Sequence, residues 1–366
     1  MTQDHESKCP VLRGRGSNLN PAGRYETEAR SVDGEYLDIL AQEENLEDGI
    51  QVETRIHRDT SRSVISTNDS PDVGMEATLN PYRGCEHGCI YCYARPTHEY
   101  LGLSAGVDFE SRIFVKEDAA RLLEHELASK SWMPKVITLS GVTDAYQPLE
   151  KKLSITRSCL EVLRDFRNPA AIITKNALVL RDADIFQDMA AWNGICVNIS
   201  VTTLDRELAR KMEPRASQPA LRLKAIETLA GKGIPVNVMV GPVLPGLTDH
   251  EIPAILKSVA DAGANSAYYT MLRLPYGVKD LFTRWMEDNY PQRAAKVLGH
   301  VRDVRDGKLN NSDFGSRMRG TGAHADKVAN LFRMFRKRHG LDRPFPSLST
   351  HHFRRNTRSP QGDLFS

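Results

Sequence analysis

The chain has 366 residues, of which 40% are hydrophobic and 26% charged, and its formal net charge is +2. This is enough apolar material to bury a core in one large domain or in two domains. No apolar run approaches the roughly 18 residues that a membrane span requires, and no apolar segment follows the N-terminal charges as in a secretory signal. We therefore expect a cytoplasmic protein without a membrane partner.

The net charge is unevenly distributed along the chain. Residues 301–366 hold 14 Lys/Arg against six Asp, a balance of +8, whereas the first 300 residues hold 35 basic and 41 acidic side chains, a balance of −6. A basic C-terminal part on an acidic body is typical of proteins with a polyanionic partner such as nucleic acid. On charge alone, a solvated basic helix face is the simpler explanation.

The first 70 residues are polar, rich in Gly, Asn and Asp, and weakly periodic. We expect residues 1–70 to form an extended, partly disordered N-terminal leader that wraps the body and is not a separate domain.

From about residue 110, helix-like stretches alternate with short, β-branched apolar stretches. Helices are predicted at 117–130, 154–166, 182–192, 219–233 and 249–263. Thr248 and Glu251 have the spacing of a capping box at the start of the last of these. Strands are predicted at 135–141, 170–176, 194–201, 235–243 and 266–272, with a first strand at 75–84. Continuous apolar strands between helices indicate a parallel sheet, so residues 71–275 are predicted to form an α/β, partial (βα)6 TIM-like barrel.

Beyond Pro275 the strand pattern fades. Residues 276–345 predict a C-terminal helical region, with helical patterns over 278–307 and 325–340. Residues 346–366 are rich in Pro, Ser and Arg and predict a flexible tail.

Three of the six cysteines, Cys85, Cys89 and Cys92, lie in the segment GCEHGCIYCYARP at 84–96, with C-x3-C-x2-C spacing. A structural zinc site needs four ligands, and ferredoxin-type clusters use four thiolates. His87 lies in the first gap, but no second ligand pair at zinc-finger spacing follows. Three thiolates can instead hold three corners of a [4Fe–4S] cube and leave the fourth iron open. Of the other cysteines, Cys159 and Cys196 are interpreted as small buried hydrophobic residues, and Cys9 lies in the leader.

With Tyr91 just before the last cysteine, and the motif placed after the first strand of a βα series, this segment resembles the radical S-adenosylmethionine superfamily. The flanks NPYRGCEHGCIYCYAR and TDAYQP are similar to the branch that contains spore photoproduct lyase and its uncharacterised bacterial relatives. The resemblance implies a [4Fe–4S] cluster whose open iron is chelated by S-adenosylmethionine. It also implies reductive cleavage to a 5′-deoxyadenosyl radical that abstracts hydrogen, with a flavodoxin or ferredoxin as reductant.

The resemblance also implies cofactor contacts at the carboxyl ends of the strands. Thr143 and Asp144 are at the position that accepts hydrogen bonds from the methionyl amino group, although Asp144 could equally be an N-cap or turn aspartate. Lys175 would contact the substrate carboxylate; the alternative is a solvated loop lysine. Ser200, which shares a strand face with Asn198, would contact the ribose or carboxylate; a hydrogen bond between strands in the core is the alternative.

Further contacts are implied at Gly241, where the adenine would lie, and at Leu272, through its backbone. Tyr91 would pack beside the cluster and the adenine. Tyr93 could be ordinary core, and Arg222 is interpreted as a surface helical arginine rather than a ligand of the ribose or carboxylate.

Spore photoproduct lyase has a hydrogen-donating cysteine three residues before the acid that follows its second strand. In this chain the acid is Asp144, and the position three residues before it is Gly141. We therefore do not carry over the lyase's substrate; the substrate is unknown, with nucleic acid one candidate. The alternative function is an iron–sulfur electron-transfer or redox-sensing protein without S-adenosylmethionine chemistry.

The C-terminal segment PQGDLFS resembles the peptide that bacterial replication and repair proteins insert into the DNA sliding clamp. Gln361 and Asp363 would supply polar contacts, and Leu364 and Phe365 the apolar anchor. A chance match of five residues in a disordered tail is the alternative.

Overall fold

The strands predicted from the sequence are present and form one sheet, except that the predicted first strand, 75–84, divides into Ala77–Leu79 in that sheet and Tyr82–Arg83 in a second one. The structure, a computed structural model, describes residues 12–25, 50–344 and 347–355. Its strands, in chain order, are β1 (Leu12–Arg13), β2 (Ile50–Gln51), β3 (Arg55–Arg58), β4 (Ile65–Thr67), β5 (Ala77–Leu79), β6 (Tyr82–Arg83), β7 (Arg112–Val115), β8 (Ile137–Leu139), β9 (Ala170–Thr174), β10 (Ile195–Ser200), β11 (Val236–Val243) and β12 (Ser266–Met271).

Six parallel strands in the order β5-β8-β9-β10-β11-β12 make up the main sheet, and β4 pairs antiparallel with β5 at one edge. The predicted α/β fold, a partial barrel of six βα units, is confirmed. The strands are nearly continuously apolar because helices cover one face of the sheet and the other face lines the interior of the barrel. In β10, for example, all six residues are buried.

The helices follow the predicted pattern. Between the strands lie Val107–Ser111, Ala119–Ala128, Glu150–Leu153, Ile155–Asp165, Ala183–Ala190, Arg206–Met212, Pro219–Gly231 and Ile252–Asp261, and after the last strand lie Val278–Asn289, Pro291–Asp303 and Gly322–Arg338. Short 3-10 helices occupy Arg95–Leu101, Ala177–Asp182 and Asp249–Glu251. No helix in the described ranges is long and apolar enough to cross a membrane.

The predicted capping box is wrong. The Thr248 hydroxyl accepts a hydrogen bond from the Leu244 N–H at 3.0 Å. The Glu251 carboxylate accepts from the Thr203 hydroxyl at 2.6 Å and the Leu204 N–H at 2.7 Å. Glu251 therefore holds the loop after β10 and Thr248 the start of its own loop after β11, so neither side chain caps the helix.

The open side of the barrel is bridged by the segment before the last helix. The Met318 carbonyl accepts from the N–H of Met271, in the edge strand β12, at 2.8 Å. Next to it, Arg317 donates to Asp72 through Nε at 2.8 Å and to the Ser70 hydroxyl at 2.5 Å, in the turn between β4 and β5. The two edges of the sheet are thus linked by an ion pair.

The cysteine loop is positioned by a small second sheet with the order β3-β7-β6. Strand β6 leads directly into the loop. Three loop residues, Cys89, Ile90 and Tyr91, share an apolar cluster with residues of the helices Val278–Asn289 and Pro291–Asp303. The C-terminal helical region is therefore packed on the loop.

Residues 347–355, within the predicted flexible tail, pack on the body. The Ser349 N–H donates to the Asn193 carbonyl, and the Arg354 N–H to the Phe166 carbonyl, each at 2.9 Å. Arg355 donates to the carbonyl of Trp132 at 2.9 Å. These bonds fix this part of the tail. Cys9 and the proposed clamp-binding residues lie outside the described residues; the latter are Gln361, Asp363, Leu364 and Phe365.

Candidate functional site

The cysteine loop starts at a glycine that no other residue could replace without strain. Gly84 has φ +83°, and a Cβ there would lie 2.9 Å from the carbonyl oxygen of Phe109. The Cys85 N–H donates to that same carbonyl at 2.9 Å. The start of the loop is therefore held by direct backbone contact with the helix Val107–Ser111.

The three thiols of the loop are close enough to interact electrostatically. Cys85 and Cys89 are buried, Cys92 is half-buried, and all three are free thiols. Burial raises the pKa of each; Asp144 further raises that of Cys85, and Glu213 that of Cys89.

The described residues contain no group of three or more His, Cys, Asp or Glu side chains placed to bind a single metal ion. In a [4Fe–4S] cube each thiolate binds a different iron, and three free thiols within one loop are the donors that three irons of a cube require. The three cysteines therefore fit three corners of such a cluster.

Asp144, just after β8, is held by four donors. Oδ1 accepts from the Thr174 hydroxyl and the Tyr146 N–H, both at 2.8 Å. Oδ2 accepts from the Lys175 N–H at 2.9 Å and lies 3.3 Å from Nδ1 of His87. Burial alone would raise the pKa of Asp144, but His87 and these hydrogen bonds lower it to about 2. The carboxylate is ionised and its acceptor positions are occupied, which matches the turn-aspartate alternative.

His87 is a site residue that sequence reasoning considered only as a zinc ligand. It is 1% exposed, and its ring lies between Asp144 and Asn176, whose side-chain nitrogen is 3.1 Å from Nε2. This geometry fits a ring that donates from Nδ1 and accepts at Nε2. His87 thereby connects the cysteine loop to the ends of β8 and β9. A single histidine within the motif gave no sequence pattern that could have revealed this role.

Tyr91 connects the loop to a buried ion pair. Its hydroxyl donates to the carboxylate of Glu213, which also pairs with Arg222. Glu213 is 1% exposed and Arg222 2% exposed. The surface interpretation of Arg222 is therefore wrong: the guanidinium points inward because the buried carboxylate requires a counter-charge. Sequence reasoning missed Glu213 altogether.

Lys175 approaches the same group of residues. Its Nζ lies 5.9 Å from the centroid of the Tyr91 ring, and it forms no ion pair within the described part of the chain. Burial would raise the pKa of Glu213, but Arg222 and then Lys175 lower it to about 2. Lys175 is thus a half-buried lysine beside the cysteine loop that forms no ion pair with the described residues.

Polar groups of β10 face two different environments. The Ser200 side chain is buried, and its carbonyl accepts from Nη1 of Arg222 at 3.1 Å. Asn198 donates to the Ile172 carbonyl at 2.8 Å and accepts from the Tyr268 hydroxyl at 2.9 Å. Asn198 therefore makes hydrogen bonds within the core, whereas Ser200 adjoins the ion pair.

The other predicted residues lie at the same end of the sheet. The Thr143 hydroxyl donates to the Gly84 carbonyl at 2.6 Å. A Cβ on Gly241 would lie 2.8 Å from Cγ of Met239 in the same strand and 3.0 Å from Oγ1 of Thr270 in the neighbouring strand β12, which leaves little room for a side chain. Leu272 packs in the apolar cluster of Cys89 and Tyr91.

The backbone of Leu272 already has protein partners. Its N–H donates to the Val243 carbonyl at 3.0 Å, and its carbonyl accepts from Nε of the buried Arg305 at 3.1 Å. Nη2 of Arg305 also donates to that carbonyl, at 2.5 Å. Both the N–H and the two acceptor positions of the carbonyl are therefore engaged by the protein.

Arg273 and Tyr93 lie at the open side of the barrel. Nε of Arg273 is buried with no acceptor among the described residues, and Nη1 is 3.7 Å from the Met318 sulfur. Burial and then Arg317 lower the pKa of Arg273, whereas Tyr93 raises it. Tyr93 is 51% exposed, so it is not ordinary core, and its hydroxyl donates to the Gly141 carbonyl. An incompletely satisfied guanidinium thus lies near an exposed phenol.

Comparison with known protein families agrees with this geometry. The model of the radical SAM superfamily matches residues 79–259, which include the three cysteines and run from the end of β5 into the helix Ile252–Asp261. With six parallel strands and the C-x3-C-x2-C loop after the first of them, the chain belongs to the radical S-adenosylmethionine superfamily. Membership implies a [4Fe–4S] cluster, S-adenosylmethionine and an external reductant.

Relatives of the chain include uncharacterised proteins of Mycobacterium tuberculosis and Mycobacterium bovis, each 35% identical over 221 residues. The match spans 60% of this chain and 65% of theirs, slightly less than two thirds of their length. An uncharacterised protein of Methanocaldococcus jannaschii is 30% identical over 226 residues, 62% of this chain and 80% of that protein.

Within the superfamily, the fold is similar to that of spore photoproduct lyase. A complex of that lyase with dinucleoside spore photoproduct has a TM-score of 0.54 at 16% identity, with 85% of both chains covered. A mutant with bound AdoMet and the dinucleoside has the same TM-score at 15% identity and the same coverage. At this identity the likeness is one of fold.

Proposed function

We propose that this protein is an enzyme that holds a [4Fe–4S] cluster on Cys85, Cys89 and Cys92 and cleaves S-adenosylmethionine reductively. The observation that carries the proposal is the loop of three free thiols at the carboxyl end of the parallel strands, where no fourth cysteine of the described chain adjoins them. The bound cluster would supply one electron to the sulfonium, and the resulting 5′-deoxyadenosyl radical would abstract hydrogen from the substrate.

The chain's own part is to bind and orient S-adenosylmethionine. Lys175 would pair with the methionyl carboxylate, because it is a half-buried cation with no ion pair among the described residues. Asp144 would act on the methionyl ammonium mainly through its negative charge, since its acceptor positions already have partners. The remaining contacts would come from Tyr91, Thr143, Ser200, Gly241 and Leu272.

A nucleic acid is the substrate class that we propose. Arg273 at the open side has an unsatisfied Nε, and phosphate oxygens are suitable acceptors for a guanidinium. Tyr93, which interacts electrostatically with Arg273, and Tyr276, three residues after Arg273, are 51% and 59% exposed and could stack on bases. Gly141 replaces the hydrogen-donating cysteine of the lyase, so repair of a thymine dimer by that route is not proposed.

The partners follow from this chemistry. A flavodoxin or ferredoxin in the reducing cytoplasm would supply the electron. The segment with Gln361, Asp363, Leu364 and Phe365 would bind the DNA sliding clamp and bring the enzyme to its substrate. Measuring the affinity of the tail peptide for the sliding clamp tests this clamp-binding proposal. An affinity that is unchanged in the double variant Leu364→Ala/Phe365→Ala would contradict the proposal.

The decisive experiment is anaerobic reconstitution followed by reduction with dithionite in the presence of S-adenosylmethionine. We expect 5′-deoxyadenosine from the wild type and from Cys159→Ala, a buried cysteine far along the chain from the loop, but none from Cys89→Ala. A stable cluster that never cleaves S-adenosylmethionine would favour the electron-transfer or redox-sensing alternative.

A further inference from the structure

Residues 15–17, here named the strap, lie directly against the cysteine loop. Arg15 and Ser17 are 7% and 2% exposed, and Gly16 is buried. A Cβ on Gly16 would lie 1.7 Å from the carbonyl oxygen of Gly88, between the first two cysteines of the loop. Because the two backbones touch, no residue other than glycine fits at position 16.

The strap shares a buried carboxylate with the loop. Oε2 of Glu110 accepts from the Gly16 N–H at 2.8 Å, and Oε1 accepts from the Ser17 N–H at 3.0 Å. Glu110 also pairs with Arg95, which donates to the Gly88 carbonyl at 3.2 Å. Glu110 and Arg95 are both 0% exposed. The strap thus completes the hydrogen bonding of a carboxylate that water cannot reach.

Arg95 extends this network to a metal-ligating position. Its Nε donates to the carbonyl of Cys89 at 2.9 Å. A Cβ on Gly88, which has φ +66°, would lie 2.6 Å from Oε2 of Glu110. The conformation of the turn between Cys85 and Cys89 therefore depends on where Glu110 lies, and the strap helps to fix Glu110.

Arg15 connects the strap to the other side of the turn. Its Nη1 donates to the Glu110 carbonyl at 2.5 Å, and its Nη2 to the Val52 carbonyl at 2.6 Å and the Thr54 hydroxyl at 3.2 Å. Thr54 in turn donates to Glu86 at 2.7 Å, the residue after Cys85. The Arg15 guanidinium is thus linked through Thr54 to Glu86, at the start of the turn from Cys85 to Cys89, and through Glu110 to the end of that turn.

We propose that the strap is a positioning element of the cluster site, which holds the turn from Cys85 to Cys89 in its cluster-binding conformation and keeps water and oxygen from it. The proposal rests on the proposed function, because it takes these thiols to bind a cluster. It also extends the site beyond residues 79–259, the part matched by the superfamily model. Groups behind metal ligands commonly control metal affinity about 10- to 100-fold when altered.

The test compares Gly16→Val with Gly74→Val in the full-length, anaerobically reconstituted protein. A Cβ on Gly74 would meet no atom within 4 Å, so this variant is a matched control. For Gly16→Val we expect loss of iron and sulfide per chain and about tenfold faster bleaching of the cluster in air. The Gly74→Val variant should behave as the wild type does.

A second variant keeps the test decisive if Gly16→Val does not fold. Arg15→Gln removes the guanidinium without steric overlap, and Arg210→Gln, on an exposed helix position, is its control. We expect faster bleaching and an altered electron paramagnetic resonance spectrum of the reduced cluster for Arg15→Gln alone, at temperatures well below the melting temperature of the cluster-free variant.

Wild-type iron content, spectrum and bleaching rate in Arg15→Gln would overturn the strap proposal, as would a loss of cluster that only parallels a lower melting temperature. A wild-type protein that binds no cluster at all would instead overturn the proposed function, and the strap proposal with it.

Discussion

The hydroxyl of Tyr91 donates to the carboxylate of Glu213, a residue 122 positions later in the chain. This bond joins the cysteine loop to the segment that follows the helix Arg206–Met212, and Arg222 neutralises the carboxylate from the next helix. The residue before the last cysteine is therefore fixed by a buried ion pair in the barrel.

Breaking this ion pair should cost far more than breaking the tyrosine bond. Glu213→Gln leaves the Arg222 guanidinium buried without a counter-charge, so we expect the free energy of unfolding to fall by about 3–5 kcal/mol. Tyr91→Phe removes one hydrogen bond, with an expected loss of about 1 kcal/mol. Urea unfolding of the cluster-free protein measures both. Equal losses of about 1 kcal/mol in the free energy of unfolding for both variants would show that Glu213 and Arg222 do not form a buried ion pair.

Lys175 should control the affinity for S-adenosylmethionine. If its ammonium pairs with the methionyl carboxylate, Lys175→Gln should weaken binding about tenfold, the size expected for a charge-assisted hydrogen bond. Lys232→Gln, at an exposed position, is the control. Equilibrium dialysis with the reconstituted protein measures the affinity, and equal binding by the two variants would remove Lys175 from the site.

Asp144 should contribute stability that depends on pH. Its folded-state pKa of about 2 lies below the ordinary value of 3.8, so the contribution is present above that value and lost as pH falls towards 2. The shift corresponds to about 2 kcal/mol.

Asp144→Asn should therefore lower the free energy of unfolding of the cluster-free protein at neutral pH. Its difference from the wild type should narrow as pH falls from about 4 to about 2. Denaturant titrations across this range measure the difference. A difference in the free energy of unfolding between the variant and the wild type that stays constant with pH would contradict the assignment of an ionised, hydrogen-bonded carboxylate.

Arg273 should contribute to binding of an anionic substrate. With a short fluorescent oligothymidylate as probe, we expect Arg273→Gln to bind about tenfold more weakly, with a smaller dependence of affinity on salt. Arg210→Gln removes the same charge from an exposed helix and should bind as the wild type does. Fluorescence anisotropy measures both. Equal affinities for the two variants would argue against a phosphate contact at Arg273.

The sheet and the cluster loop could be predicted because their patterns are local. Each strand of the barrel is a short apolar run between helical periods, and three cysteines within eight positions need no tertiary information. The capping box failed because Glu251 forms its hydrogen bonds with the loop after β10 and the Thr248 hydroxyl bonds to Leu244, four residues earlier in its own loop.

The ion pair and the strap could not be predicted because their roles depend on what the fold places opposite them. Arg222 has an ordinary helical context, and only the position of Glu213 shows that it is buried. Gly16 lies in a polar leader and becomes irreplaceable only where it meets Gly88. Charged residues and glycines carry little information about burial until their partners are known.

In the proposed function, three cysteines hold the cluster and S-adenosylmethionine completes the coordination of its fourth iron. Electron–nuclear double resonance on the reduced cluster, with S-adenosylmethionine labelled in its amino nitrogen and carboxylate oxygen, tests this most directly. If S-adenosylmethionine chelates the fourth iron, both labelled atoms show hyperfine coupling to the cluster in the wild type and in Cys159→Ala. A reduced [4Fe–4S] cluster that shows no coupling to either label, with all four irons bound by the protein, would contradict it.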